Sequence, residues 1–427
     1  MKTLFTLLLL LTLFNSNLNA QWVQQTSGTT ADLYSMSGTL GGRIWVCGAA
    51  GTVLKTTDWG VTWVNAGSSL FSGLDLYNVA CIDNNTALVT GSNSTGAYVY
   101  KTSNGGANWV EVFFQAGGFI NVISMNEFGQ NGFMQGDPVS GRWSLWKTTN
   151  NGSTWDSAGM YLPQNGSEAG WNNSIYATGI LGEYFFGTNN SRIYKTTNWG
   201  TSWTFTPTPD VNSYALWFNT SFGYGIAGGA QLMLSTNIGE NWQIQSAPGT
   251  GNITGATGVK EVFWFTRQGP GIYVSTNHGQ DWTIDTTIAG AQFNDMEALL
   301  VAPFDSPLSG AYYIYAIGSG GRIYILDYAS SINFLSSPLP DRYSLSQNYP
   351  NPFNPSTKIN FDIVRAGFVS VKVYNSLGQQ VADLVNQDMT PGSYQADFDA
   401  SALTSGIYFY TIKAGDFVET KKMVLMK

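Results

Sequence analysis

Short apolar runs alternate with polar turns along almost the whole chain. "DLYSM", "IWVCG" and "TVLKT" are followed by "DLYNVACI", "ALVTG" and "YVYKT", with Gly-, Asn- and Ser-rich segments between them. Runs of this length bounded by turn residues predict strands, and their number predicts an all-β chain. The runs also come in a fixed order. An apolar strand is followed by one that often closes on Gly. A third leads into a polar phrase, and a fourth starts at the Trp that ends the phrase. Four short strands per unit is the make-up of a propeller blade.

The polar phrase recurs six times, as "KTTDWGVTW", "KTSNGGANW", "KTTNNGSTW", "KTTNWGTSW", "LSTNIGENW" and "VSTNHGQDW". Its closing residues are Trp63, Trp109, Trp155, Trp203, Trp242 and Trp282, spaced 46, 46, 48, 39 and 40 residues apart. A period near forty residues signals a propeller or solenoid. Asp58, and Asn104, Asn150, Asn198, Asn237 and Asn277 in the later copies, can bond their own backbone and hold a turn. Gly60, Gly106, Gly152, Gly200, Gly239 and Gly279 suit a positive φ. The opening Thr or Ser can add a second turn bond. The Trp is expected to pack into its blade, covering roughly 150–250 Å². At about 25 cal/mol per Å² that is a gross ~4–6 kcal/mol per blade, an upper bound on an extended-chain reference. Stability alone therefore accounts for the phrase. All six copies fit S/T-x-D/N-x-G-x-x-W, and here the chain resembles the Asp-box (BNR) repeat family, in which the box is a structural turn.

The ring needs an ending. "YYIYAIGSGGRIYILDYAS" aligns with "GRIWVCGAAGTVLKTTD", placing Gly318 on Gly48 and Gly321 on Gly51, but it stops without a box or a fourth strand. "QWVQQTSGTTADLYSM" near the start matches "TWVNAGSSLFSGLDLYNV", so Trp22 stands where Trp63 stands in its blade. The N-terminal strand is expected to complete the last blade and remove an exposed sheet edge. The prediction is a seven-bladed β-propeller over residues 21–328, closed by its N-terminal strand.

Residues 1–20 read as a secretory signal peptide: "MKT", the apolar "LFTLLLLLTLF", and "NSNLNA" ending at Ala20. The apolar run is short for a bilayer span, and no other run approaches that length. A mature chain without a transmembrane segment is expected. Charged residues make up 11% of the sequence, against about 25% in a typical globular protein. The formal charge of −8 leaves no basic surface for nucleic acid. Export permits a disulfide between Cys47 and Cys81; two buried free thiols are the alternative. His278 is the sole histidine and lies inside a box. Too few Cys and His ligands exist for a zinc site, and neither a metal nor a cofactor is expected.

The repeat ends at a Ser/Pro-rich stretch, and 329–342 reads as a linker. Alternating strands follow between Gly, Pro and Asn turns, which predicts a small immunoglobulin-like sandwich. Residues 343–427 closely resemble the type A C-terminal sorting domain of the type IX secretion system. The matching positions are Tyr349-Pro350-Asn351-Pro352-Phe353-Asn354-Pro355, Tyr374-Asn375 with Gly378-Gln379, Ser405-Gly406-Ile407-Tyr408, and Lys421-Lys422-Met423. The resemblance implies a cargo recognised by the type IX machinery and carried through the periplasm. It would then be secreted or attached to the outer cell surface.

Candidate chemistry is sparser. In a propeller the boxes share one face, while the loops between second and third strands share the other with the connections between blades. Arg142, Arg192, Arg267 and Arg322 fall in or beside those loops. Asp32, Asp75, Asp295 and Glu297 lie near inner-strand starts on the same face, which makes it the candidate ligand mouth. Asp-box sialidases clamp a carboxylate with three arginines, but their "RIP" motif is missing, and "GGRIW" at Arg43 falls on the wrong side of its strand. Xyloglucanase-like propellers use two carboxylates across a cleft, for which Asp32 and Asp295 are candidates; those enzymes usually carry two propellers, and one is present here. The first blade is also similar to photosystem II assembly-factor propellers, which bind a protein partner. Trp59 and Trp199, at the variable box position, can either stack on sugars or pack on neighbouring turns. The expected function is a non-catalytic binding or scaffold propeller with an extracellular glycan or protein ligand. The alternative is a glycoside hydrolase.

Overall fold

The computed structural model describes residues 22–39, 41–126, 129–178, 182–300, 311–329, 332–336, 342–365, 367–389 and 392–427. The predicted leader lies outside them. All six boxes fold into one turn. In the first, Thr56 Oγ1 accepts from the amides of Asp58 (3.2 Å) and Gly60 (2.9 Å) and donates to Asp58 Oδ1 (2.7 Å). Asp58 Oδ1 then accepts from the Thr62 amide at 2.9 Å. The same set recurs in the boxes opened by Thr102, Thr148, Thr196, Ser235 and Ser275.

The sequence pattern predicts left-handed backbone at the box glycines, and they have it (Gly60, φ 80°). The preceding residue is left-handed too, at Trp59 (60°), Asn151 (59°), Trp199 (58°), Ile238 (53°) and His278 (60°). A non-glycine residue in this conformation needs compensation. Its amide supplies part of it by bonding the first hairpin turn of the same blade, as from His278 to Glu261 O (2.8 Å) and from Trp199 to Gly182 O (3.0 Å). Its side chain supplies the rest: His278 stacks on Tyr224 with ring centroids 4.6 Å apart, and Trp59 and Trp199 pack against Tyr313 and Tyr184.

Seven inner strands head seven antiparallel sheets: Leu33–Thr39, Asp75–Cys81, Ile120–Met125, Gly170–Ala177, Ala215–Asn219, Ile253–Val259 and Phe293–Leu300. Each touches the next, and the first touches the last, which closes a ring. Blade one begins at Leu33 and blade seven at Phe293. In blade seven the outermost strand is Val23–Gln25, paired antiparallel with Ile323–Ala329 through Val23↔Ile325, Gln24↔Tyr324 and Gln25↔Ile323. Blade three departs from the expected four strands and has three. After Trp155 only isolated bridges, Lys147↔Asp156 and Arg142↔Pro163, follow its third strand. Gly159 and Pro163 in this segment suit a looped path, since proline cannot donate to a ladder.

Seven apolar clusters fill the ring, one at each contact between neighbouring blades, and each holds either one of the six box-closing tryptophans or Trp22. The indoles therefore do not pack only within their own blade, as the pattern alone suggests. Trp109 of blade two lies against Trp45, Cys47 and Phe71 of blade one. Trp63, Trp155, Trp203, Trp242 and Trp282 sit the same way against the preceding blade. Trp22 fills the seventh junction: it packs with Trp264 of blade six and donates through Nε1 to Asp285 Oδ2 at 2.8 Å.

The disulfide is not formed. Cys47 and Cys81 are buried free thiols, with Cys47 Sγ bonded to Leu76 O at 3.3 Å. Leu76 is five residues from Cys81 on one strand, and a rise of about 3.3 Å per residue puts the two sulfurs beyond bridging distance. Burial raises both thiol pKa values, that of Cys81 to about 12.

The tail forms two four-stranded antiparallel sheets around one core. One contains Ser344–Leu345, Ser356–Ile363 and Gly392–Asp399; the other contains Gly367–Asn375, Gln380–Met389, Gly406–Ala414 and Phe417–Leu425. Burial alternates along Ser356–Ile363 and Gly406–Ala414, as expected for strands with one face on a core. Ile332–Ser336, inside the stretch read as linker, instead forms an edge strand paired with Gly392–Asp399. Its Ile-Asn-Phe-Leu sequence has strand propensity that the surrounding Ser/Pro composition conceals.

Thr102→Ala removes one hydroxyl that serves two amides and the Asn104 side chain. It should lower stability by ~1–3 kcal/mol in chemical denaturation. Val61→Ala, in a box turn but at a position 82% exposed, should leave the transition unchanged.

Candidate functional site

The inner strands enclose an axial cavity of about 710 Å³. Its charged lining residues are Arg43, Asp295 and Glu297. Asp295 and Glu297 lie two apart on the blade-seven inner strand, so the pleat turns both to the cavity. Asp295 Oδ2 accepts from the Met36 amide (3.1 Å) and Oδ1 from the Met296 amide (2.9 Å). Glu297 Oε1 accepts from the Gly38 amide at 3.4 Å. Both carboxyls thus stitch blade seven to blade one. Burial raises the Asp295 pKa to about 7. Burial, helped by the Asp295 charge, pushes Glu297 well above the usual carboxylate range. At the end where the inner strands begin, Asn173 of blade four (φ 62°) reaches across. Its Nδ2 donates to Tyr34 O at 2.8 Å, and its Oδ1 accepts from Asn78 Nδ2 at 2.7 Å.

The remaining candidates for the mouth do not converge. Asp32 Oδ1 accepts from the Gly320 amide, and Asp75 Oδ1 from the Ala50 amide, each at 2.8 Å. Each aspartate thus clasps the loop between second and third strands of the preceding blade. Asp32 and Asp295 are therefore committed to different backbone amides and do not form a pair across a cleft. Arg267 is buried, donates to Pro248, Ala230 and Gly251 carbonyls, and covers the Phe265 ring. Arg192 pairs with Glu168 at 3.4 Å and lies over Phe205. Arg322 donates to Ser319 O at 2.9 Å, and half-buried Arg142 opens the third strand of blade three. Arg192, Arg267 and Arg322 are thus each held within their own locality.

Sequence reasoning missed a row of half-buried rings on this face. Tyr34 and Tyr77 stack at 5.6 Å, and Phe119 lies 4.9 Å from Tyr77. A second pair, Trp171 and Tyr214, lies further round at 4.3 Å. Tyr34 and Tyr77 occupy the irregular step where each inner strand slips register against its neighbour. The repeated "DLY" was the available signal, but it reads as an ordinary strand start.

In the tail, the Tyr349–Phe353 motif fastens the start of the sandwich to its last strand. Asn351 Oδ1 accepts from the Val424 amide (2.9 Å), Phe353 N–H donates to Val424 O (2.9 Å), and Met426 N–H donates to Phe353 O (2.9 Å). Buried Asn348 donates to Pro350 O and Thr357 Oγ1, both at 3.0 Å. Gly378 (φ 78°) closes the turn held by Asn375. Tyr408 is buried beside Gly406 and donates to Thr404 O at 2.8 Å. Lys421 pairs with Glu419 at 3.0 Å, while Lys422 is exposed on the other face of the strand. Tyr349 is 80% exposed.

Residues 347–426 match the secretion system C-terminal sorting domain. The motif bonds above lie within this segment, and a sorting domain of this kind implies export. No curated protein matches the chain. Among solved structures it is similar to YCF48 bound to D1 peptide, at 18% identity and a TM-score of 0.55, over 72% of this chain and 96% of that one. YCF48 from Cyanidioschyzon merolae is similar at 16% identity and 0.56, over 72% and 99%. Saccharomyces cerevisiae Sqt1 is similar at 11% and 0.51, over 72% and 99%. At these identities the likeness is one of fold: a β-propeller precedes the sorting domain. No helix among the described residues is long and apolar enough to cross a membrane.

The raised carboxyl pKa values have a sign. A carboxyl whose folded pKa exceeds its unfolded value binds more protons when folded, so stability falls as pH rises between the two. For Asp295 this window runs from 3.8 to about 7. The denaturation midpoint should therefore rise as pH is lowered from 8 towards 5, and Asp295→Asn should flatten that rise.

Proposed function

We propose that the chain is a non-catalytic binding propeller, exported by the type IX secretion system and displayed at or released from the cell surface. The match of residues 347–426 to a sorting domain carries the export half of this reading. In it, residues 1–20 bring the chain to the periplasm, residues 21–328 fold there, and the tail supplies the address for outer-membrane passage.

The binding half draws on how the polar groups are used. Asp295 and Glu297 sit side by side on one strand and accept backbone amides, whereas glycoside hydrolysis needs two carboxyls flanking the scissile bond. Asp32, Asp75, Arg192, Arg267 and Arg322 are likewise engaged with backbone or with Glu168. The face bearing Tyr34, Tyr77 and Phe119 offers contact area without a reactive constellation, which suits binding a glycan or protein ligand. YCF48, a propeller of similar fold, is described in complex with a peptide.

A glycan array run beside a panel of chromogenic glycosides tests the binding half. Retention without turnover is expected; turnover abolished by Asp295→Asn would establish an enzyme instead. For export, removal of residues 341–427 should leave a folded propeller in the periplasm, read by cell fractionation. Normal secretion of that truncation would refute the sorting role.

A further inference from the structure

The sandwich has one surface that its architecture does not account for. In Gly367–Asn375, Gly406–Ala414 and Phe417–Leu425, every second side chain enters the core: Val369, Val371 and Val373, then Tyr408, Tyr410 and Ile412, then Met423 and Leu425. The alternate positions face outward, where an antiparallel sheet is normally polar. Here Phe368 is 55%, Ile407 48%, Phe409 37% and Val418 59% exposed. The register gathers them at the two ends of the face: Ile407 and Phe409 beside Tyr374 and Lys422, and Phe368 and Val418 on either side of Lys413, with Lys372, Thr411 and Thr420 in the row between. Large apolar side chains exposed in this number on one sheet face point to an interaction site.

Cations outnumber carboxylates around these side chains, where the register sets Asp388 opposite Phe368 and Asp383 opposite Lys372. Lys372, Lys413 and Lys422 stand among these side chains. Lys372 is paired with Asp383 at 3.6 Å, whereas Lys413 and Lys422 have no ion-pair partner among the described residues. A cavity of about 1150 Å³ adjoins the patch, shares Phe368, Lys372 and Lys413 with it, and adds Arg342 and Arg365. Asp416 is the carboxylate on that cavity's wall. The propeller is charged the other way. Residues 22–328 carry 10 Lys and Arg against 19 Asp and Glu, while residues 343–427 carry seven of each.

We propose that this outward face is where the sorting domain docks on the export machinery, and that the machinery presents an acidic surface with apolar side chains there. The inference rests on the export reading above and gives it a surface and a partner chemistry. An acidic partner attracts the lysine-flanked face and repels the acidic propeller, so the chain approaches tail first. The apolar side chains then supply the short-range contact.

The test is an export assay on the full-length chain in a host with the machinery, scoring the exported against the periplasmic fraction. Thermal unfolding of each purified variant checks folding. Lys413→Glu/Lys422→Glu should unfold like the parent while its exported fraction falls by about tenfold or more, because like charges then face each other. Ile407→Ser/Phe409→Ser tests the apolar part separately and should also reduce export. Lys413→Arg/Lys422→Arg should export normally, as should Lys358→Glu on the other sheet. Normal export of the Lys413→Glu/Lys422→Glu variant would overturn the proposal, as would an equal loss with Lys358→Glu. Self-association abolished by the charge reversal with export unchanged would also overturn it, assigning the face to the acidic propeller of a second copy. Normal export after removal of residues 341–427 would instead refute the export reading itself.

Discussion

One indole at each junction between blades is the contact on which the ring depends. Neighbouring blades share no continuous hydrogen-bonded ladder; each sheet is complete in itself. Side-chain packing is common to all seven junctions, and each contains one of Trp22, Trp63, Trp109, Trp155, Trp203, Trp242 or Trp282. The box turn exists to aim that ring. A single hydroxyl gathers two amides, the Asp or Asn side chain gathers a third, and the chain reverses so that the next strand starts with its Trp against the blade before. The seventh indole comes from the far end of the chain, which makes closing the ring and completing its last junction the same event.

That architecture also explains why so little polar chemistry is left over. Groups that look catalytic in the sequence are absorbed as fasteners: Asp32 and Asp75 clasp preceding loops, Asp295 and Glu297 link the last blade to the first, and Arg267 ties three carbonyls. The cavity inside the inner strands has Asp295 and Glu297 in its wall and is bridged at one end by Asn173. Surface character is divided between the two parts of the chain. The propeller is acidic with a row of half-buried rings on one face, whereas the sorting domain exposes Phe368, Ile407, Phe409 and Val418 on the face that bears Lys413 and Lys422.

Much of the fold was legible because it repeats. The box spacing, the missing box after Gly321 and the early Trp22 together described a closed ring, and the ordered motifs from Tyr349 to Met423 described the tail. The irregular parts were not legible. The replacement of a fourth strand in blade three by two isolated bridges depends on how Gly159 and Pro163 route one segment. Strand Ile332–Ser336 was hidden by the composition around it. The partners of Asp32, Asp75 and the arginines are backbone groups of other loops, and a backbone amide leaves no mark in a sequence. The same holds for the box tryptophans: periodicity predicts that they pack into the sheets, but only the coordinates place them between blades.

Chemical denaturation of the full-length chain carrying Trp22→Ala, followed with amide hydrogen exchange in Ile323–Ala329, tests this account most directly. Loss of the seventh indole should cost ~3–5 kcal/mol, as for a large buried aromatic, and should speed exchange in that strand. An unchanged transition with protected Ile323–Ala329 amides would show that the ring does not depend on its junction tryptophans.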